Sequence, residues 1–143
     1  MNPYVFTMAL TVLSNVGYHL SQRAISRDVD PLVSLAITYV VALATTVAAL
    51  PFFSGREALS WSAYGKANWA SYALGVTAVG LELGFLLAYR AGWRVSLAAI
   101  VSNTWVALLL IPVGLLFFRE AMDLRRASGI VLAVAGLWLL GKE

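Results

Sequence analysis

The sequence predicts an all-α transmembrane protein built from five helices. Of its 143 residues, 61% are hydrophobic and 12% are charged, and the mean hydropathy is +0.82. Soluble domains contain about 25% charged residues, whereas a membrane span needs about 20 mostly apolar residues. The apolar residues of this chain form five runs separated by short polar segments. We therefore expect residues 1–143 to form a single transmembrane domain in a lipid bilayer.

The five predicted spans cover about residues 4–22, 32–53, 69–89, 95–118 and 127–140. The first lacks the basic start and the small-residue cleavage site of a secretory signal, so we expect it to be retained. The second begins just after Pro31, which fits the first turn of a helix because its missing N–H is not needed there. The loop before the third span carries Trp61 and Tyr64, and such aromatic residues favour the membrane interface.

The third span is expected to turn tightly into the fourth, which contains Pro112. A proline inside a helix leaves one carbonyl unpaired, so Pro112 predicts a kink at which a neighbouring group satisfies that carbonyl. The fifth span is short, about 14 residues or roughly 21 Å at the standard helical rise. It is expected to tilt little, to borrow flanking residues or to thin the bilayer.

Five crossings place the two termini on opposite sides of the membrane, and the basic residues divide evenly between those sides. The side of the N-terminus would hold Arg56, Lys66, Arg119, Arg125 and Arg126, and the other side Arg23, Arg27, Arg90, Arg94 and Lys142. The positive-inside rule therefore predicts no orientation. Either the small number of charges hides a weak bias, or the chain inserts both ways and pairs with an inverted copy of itself.

Glu82 is the most informative residue because it lies in the middle of the third span. An ionised carboxylate at that depth costs roughly 2.5 kcal/mol or more, so it marks a functional site by default. Counting residues from the span ends places Asn15 and Asn103 at a similar depth. Polar side chains on the first span recur at three- and four-residue spacings, which predicts one inward face. They are Thr11, Asn15, Tyr18, His19 and Gln22.

We predict that one layer of side chains binds a proton or a substrate. Its members are Glu82, His19, Asn15, Asn103, Tyr18 and Trp105. Structural alternatives stay open. Glu82 would instead be a neutral hydrogen-bonded acid, or the ion-pair partner of Arg90 or of an arginine in a partner chain. His19 would be an interfacial hydrogen-bonding residue, and the two asparagines would join helices.

Small residues on the third and fifth spans predict close helix contacts. They are Gly80, Gly84, Gly129, Ala133 and Gly136. The first two form a Gly-x-x-x-Gly pattern, and such faces are typical of tight helix packing in membranes. For the fifth span, the same helix of a second chain is one candidate partner.

The sequence argues against several other functions. It has no glycine-rich phosphate loop after a strand, no metal-spaced cluster of histidines and acids, and no nucleophile beside its single histidine. We therefore expect no enzyme activity, no cofactor and no metal. The net charge of +3 comes from scattered residues and predicts no nucleic-acid partner. The absence of cysteine rules out disulfides and thiolate metal sites.

Three stretches of the C-terminal two-thirds carry a resemblance: LGFLLAYRAG at 83–92, VSLAAIVSNTWVALL at 95–109 and FFREAMDLRRASGIVLAVAGLWLL at 117–140. In this order they resemble the EamA-type half of the drug/metabolite transporter superfamily. That family usually has a Gly-Glu pair where this chain has Arg119-Glu120, so the glutamate matches and the glycine does not. The first two spans fit in position and length only.

The resemblance implies a five-helix half-transporter that pairs with an inverted copy to give a ten-helix bundle. We expect a multi-pass protein of the cell membrane, the inner membrane in a bacterium, that acts as an antiparallel homodimer. It would export a small organic solute by proton-linked or facilitative secondary transport. The small multidrug resistance relatives carry their glutamate on the first helix, so that role does not transfer to Glu82. The alternatives are a subunit of a heteromeric lipid-carrier flippase and a non-transporting membrane assembly protein.

Overall fold

The computed structural model describes residues 3–119 and 122–140, and this part of the chain is all-helical, as predicted. The α-helices are α1 (Pro3–Ala24), α2 (Pro31–Phe53), α3 (Trp61–Tyr64), α4 (Trp69–Arg90), α5 (Val95–Phe117) and α6 (Leu124–Leu140). A single 3-10 turn, Arg56–Leu59, precedes the short α3 within the described part of the chain. The five long helices occupy the five apolar segments. Glu120 of the Arg119-Glu120 pair and the basic residue Lys142 lie outside the described residues.

Local side chains set where α2 and α4 begin. Asp30 Oδ1 accepts hydrogen bonds from the backbone N–H groups of Leu32 at 2.8 Å and Val33 at 3.2 Å. Asn68 Oδ1 accepts from the backbone N–H of Ala70 at 3.0 Å. These bonds satisfy amides that the first turn of a helix leaves unpaired. The starts of both helices are therefore encoded by residues adjacent to them in sequence.

Three helices, α2, α4 and α5, are long and apolar enough to cross a membrane. The described part of α6 has a shorter apolar stretch, Ala127–Leu139, and α1 is not among the three. Helix α1 is not one of the three because its row of polar residues lowers the mean hydropathy of this 22-residue helix. Membrane crossing by α1 and α6 therefore stays a prediction.

The chain divides into two compact units, Met1–Ala91 and Gly92–Glu143. In the first unit α4 packs against both α1 and α2, and in the second α5 packs against α6. The second unit starts at Gly92, whose φ is +102°, a conformation that glycine adopts without steric cost. Because α4 contacts both α1 and α2, it brings its side chains to these two helices together.

Few side chains are buried in either unit. In the first, Leu86 and Tyr89 on α4 are each only 1% exposed, and His19, Gln22 and Ser34 are buried polar residues. Large apolar side chains cover most outer helix faces, as with Phe52 at 85% exposure. Apolar surface on this scale needs another apolar phase or partner against it. Of the buried polar residues, His19 and Gln22 of α1 contact α4.

The small-residue faces have no close neighbour within their own units. A Cβ built on Gly80, Gly84, Gly129 or Gly136 meets no atom within 4 Å in the described part of its unit, and Ala133 is exposed. The predicted packing role of these five residues therefore needs a surface supplied from elsewhere. It stays a prediction.

Candidate functional site

A polar cluster lies where α4 contacts α1 and α2. We define it by Tyr18, His19, Gln22, Tyr39, Glu82 and Tyr89. His19, Gln22 and Tyr89 are buried, and the other three side chains are half-buried. Helix α1 supplies three members of the cluster, α2 supplies one and α4 supplies two, so the cluster exists only when all three helices are packed.

Glu82 on α4 faces Tyr39 on α2, and the two polar groups interact without a hydrogen bond of good geometry. Glu82 Oε2 and Tyr39 Oη are buried, and neither has a hydrogen-bond partner among the described residues. The two side chains nevertheless lie close enough for a weak hydrogen-bonding interaction with each other. A buried polar atom without a partner costs about 1–3 kcal/mol, and such atoms are rare in native structures. This pair is therefore suited to receive a group from outside the chain.

Gln22 connects α1 to the backbone beside Glu82. Its Nε2 donates to the backbone carbonyl oxygen of Glu82 at 3.4 Å and to Tyr18 Oη at 3.3 Å. Both bonds are long and therefore weak. Gln22 Oε1 is buried without a partner among the described residues. The cluster thus holds a third unpaired oxygen, on a different helix from the other two.

His19 and Tyr89 join α1 to α4 through a short hydrogen bond. Tyr89 Oη and His19 Nδ1 are 2.7 Å apart and buried. The imidazole ring lies edge-on to Phe85, with ring centroids 4.8 Å apart, and to Tyr18 at 5.2 Å. One ring nitrogen is occupied and aromatic rings surround the imidazole, so this geometry favours the structural alternative for His19.

The predicted layer at the depth of Glu82 is only partly assembled in the first unit. Tyr18 and His19 join the cluster, but Asn15 is exposed, and Gln22 is the α1 side chain that reaches the Glu82 backbone. The predicted equal depth of Asn15 and Glu82 stays a prediction.

The remaining predicted site residues, Asn103 and Trp105, lie on α5 in the second unit, and both are exposed. Their roles, and that of Asn15, stay predictions. The predicted alternative of an ion pair between Arg90 and Glu82 is not formed, because Arg90 Nη2 donates to the backbone carbonyl oxygens of Ser26 and Val29. Among the described residues, no three His, Asp or Glu side chains lie close enough together to hold a metal ion.

Tyr39 is the cluster residue that sequence reasoning missed. Helix α2 carries no charged residue and reads as an apolar span, in which Tyr39 is easily counted as one more hydrophobic residue. A signal was nevertheless present. Aromatic belts lie at the ends of spans, whereas Tyr39 is the ninth residue of a 23-residue helix. A buried tyrosine hydroxyl usually finds a partner, so a tyrosine inside a span predicts a polar neighbour on another helix.

Comparison of the chain with protein-family models, curated proteins and solved structures gives no match. The function is therefore argued from the site itself, that is, from the chemistry and geometry of named residues.

Proposed function

We propose that this chain is a multi-pass membrane protein that exports a small organic solute by secondary transport. The observation that supports the proposal is the unpaired, buried carboxylate oxygen of Glu82 on α4, a helix long and apolar enough to cross a membrane. Ionisable residues inside spans are costly and usually functional. The basic residue nearest along α4, Arg90, bonds to backbone carbonyls instead. Glu82 is therefore available to an exchangeable partner.

In this proposal Glu82 holds either a proton or a cationic group of the solute. Because the two compete for one carboxylate, solute can leave only when a proton takes its place, which couples the two movements in opposite directions. Tyr39 Oη and Gln22 Oε1 supply unpaired polar atoms for the solute. The rings of Tyr18 and Phe85, 6.1 Å apart, offer an aromatic surface that favours a cation.

The proposal includes an antiparallel homodimer. The even division of basic residues between the two predicted sides supports insertion in both orientations. The exposed apolar faces and the uncovered glycines of α4 and α6 offer surface for a second copy. Two inverted copies would make the two access pathways equivalent, as inverted repeats do in many transporters. This is the arrangement that the resemblance to the EamA-type half implies.

The test is proton-driven efflux of ethidium, used as a probe cation, from proteoliposomes that contain the purified chain. We expect an inward proton gradient to accelerate efflux by the native chain. Glu82→Gln should abolish this dependence on the gradient, because an amide neither binds a proton nor pairs with a cation. The matched control is Glu57→Gln, which removes the same charge from an exposed position. It should leave the gradient dependence unchanged.

Undiminished gradient dependence in Glu82→Gln would contradict the coupling role of Glu82. Equal loss in both variants would show that the charge of the chain, and not the position of Glu82, controls efflux. Either result removes the main support for the proposed transport mechanism.

A further inference from the structure

A cavity of about 250 Å³ lies in the first unit beside the ends of α1 and α4, apart from the unpaired oxygens of Glu82 and Tyr39. Three of its lining residues are Arg23, Arg27 and Arg90, and we call it the arginine cavity. Pockets for drug-sized ligands occupy roughly 300–1,000 Å³. The arginine cavity is smaller, so it fits a compact polar group better than a whole organic solute.

Backbone carbonyls hold two of these arginines in place. Arg23 Nη1 donates to the carbonyl oxygen of Tyr89 at 2.7 Å. Arg90 Nη2 donates to the carbonyl oxygens of Ser26 at 3.1 Å and Val29 at 2.5 Å. These bonds orient the guanidinium groups but do not neutralise them, because a carbonyl carries no net charge. The cavity is therefore positively charged and partly preorganised.

The acids of the neighbouring turn are engaged elsewhere. Asp30 caps α2, and the Asp28 carboxylate accepts from the hydroxyl of Ser26 at 3.2 Å. Among the described residues, no carboxylate forms an ion pair with any of the three arginines. Arg90 Nε is buried and has no hydrogen-bond partner in this part of the chain. A buried donor on a charged group without a partner indicates that an acceptor is missing.

The cavity also has an apolar side formed by Leu86 and Tyr89, each only 1% exposed. The combination of three guanidinium groups and a buried apolar wall suits a tetrahedral oxyanion. Guanidinium groups bind phosphate oxygens through paired, charge-assisted hydrogen bonds. A single carboxylate would leave donors of the other arginines unpaired, whereas a phosphate presents several acceptor oxygens.

We propose that the arginine cavity binds a phosphate group, carried either by the headgroup of an anionic lipid or by a soluble phosphate. The cavity shares Gln22 and Tyr89 with the polar cluster but does not include Glu82, and phosphate binding there does not require transport. Its position at the joint ends of α1 and α4, two helices predicted to span the bilayer, would bring it to the depth of lipid headgroups. A bound phosphate would also tie the α1–α2 turn to the end of α4 more firmly.

The test uses the purified full-length chain in a neutral detergent. Inorganic phosphate is titrated by calorimetry, and binding of phosphatidylglycerol is measured by native mass spectrometry, with phosphatidylcholine for comparison because its choline cation would be repelled. Arg27→Gln should weaken binding by about fivefold. It is the safest variant for folding because Arg27 is exposed and makes no structural bond that the structure describes. Arg90→Lys keeps the charge but loses the planar fork, and should weaken binding by about tenfold.

The matched control is Lys66→Gln, which removes one positive charge from an exposed residue of the same unit outside the cavity. It should bind as the native chain does. If inorganic phosphate competes with phosphatidylglycerol, one site accepts both sources, and binding of phosphatidylglycerol alone assigns the site to a lipid headgroup. Equal weakening in Arg27→Gln and Lys66→Gln overturns the proposal. So does an absence of phosphate binding together with equal binding of the two lipids.

Discussion

Two tyrosines on neighbouring helices differ in whether their buried hydroxyl has a partner. Tyr89 Oη lies 2.7 Å from His19 Nδ1, whereas Tyr39 Oη has no partner among the described residues. The same chemical change therefore has opposite consequences at the two positions. Removing the Tyr89 hydroxyl leaves the buried His19 nitrogen unpaired, but removing the Tyr39 hydroxyl loses only a weak interaction with Glu82.

We expect Tyr89→Phe to lower the free energy of unfolding by about 1–3 kcal/mol. Tyr39→Phe should leave it unchanged or raise it by about 1 kcal/mol, while slowing proton-driven efflux. Unfolding of the two variants in detergent, followed by circular dichroism, gives the first comparison, and the proteoliposome assay gives the second. Equal destabilisation by both substitutions would show that Tyr39 Oη does have a structural partner.

The residues of the polar cluster differ in how visible they are in the sequence. Glu82 stands out because a charge inside an apolar run is costly, and His19 stands out on a polar face at helical spacing. Tyr39 does not, because its side chain is compatible with an apolar helix. The choice of Gln22 over Asn15 also needs the structure. It depends on how α1 packs against α4, which no local pattern encodes.

At the scale of one element, the end of α5 carries a conformational strain that glycine would relieve. Arg119 follows the last residues of α5 with a φ of +52°, and within the described chain it is the one non-glycine residue with positive φ. Left-handed backbone costs an L-residue about 1–2 kcal/mol. Glycine avoids this strain, but its greater conformational freedom favours the unfolded chain by about 0.5–1 kcal/mol. Glycine is the residue that usually follows a helix in this conformation.

Arg119→Gly should therefore raise the free energy of unfolding by about 0.5–1 kcal/mol. The matched control is Arg119→Ala, which removes the same charge and side chain but keeps the Cβ that causes the strain. It should give no gain. Thermal unfolding in detergent distinguishes the two variants, and an equal gain from alanine would assign the effect to the lost charge. This is also the position at which the EamA-type resemblance expects a glycine.

Helix positions were easier to predict than helix contacts. Asp30 and Asn68 cap helices whose starts were expected nearby, and the end of α4 at Arg90 lies one residue from its expected end. These features depend on neighbouring residues and on apolar length, which the sequence contains. Membrane crossing by α1 is harder to predict, because the polar residues that contact α4 also lower the hydropathy of α1.

At the scale of the whole molecule, adding or removing basic residues on one predicted side can fix the chain in a single orientation. Ser60→Lys with Ser62→Lys adds two basic residues to the predicted N-terminal side, and Lys66→Gln with Arg125→Gln removes two from it. The positive-inside rule then predicts opposite orientations for the two double variants. The chain has no cysteine, so one cysteine introduced at Ser26 reports orientation through labelling by a membrane-impermeant maleimide from outside intact cells.

If the active form is an antiparallel homodimer, each double variant alone should lose most ethidium efflux, since all its copies lie one way. Co-expression of the two should restore efflux, because each supplies the inverted partner that the other lacks. The native chain should show about half of its Ser26→Cys sites labelled, and each double variant either nearly all or nearly none. Co-expression also controls for the charge changes themselves, because both sets of substitutions are still present when efflux returns. Full activity of a singly oriented variant would mean that one orientation suffices, and the antiparallel pair would have to be abandoned even if Glu82 still binds the proton.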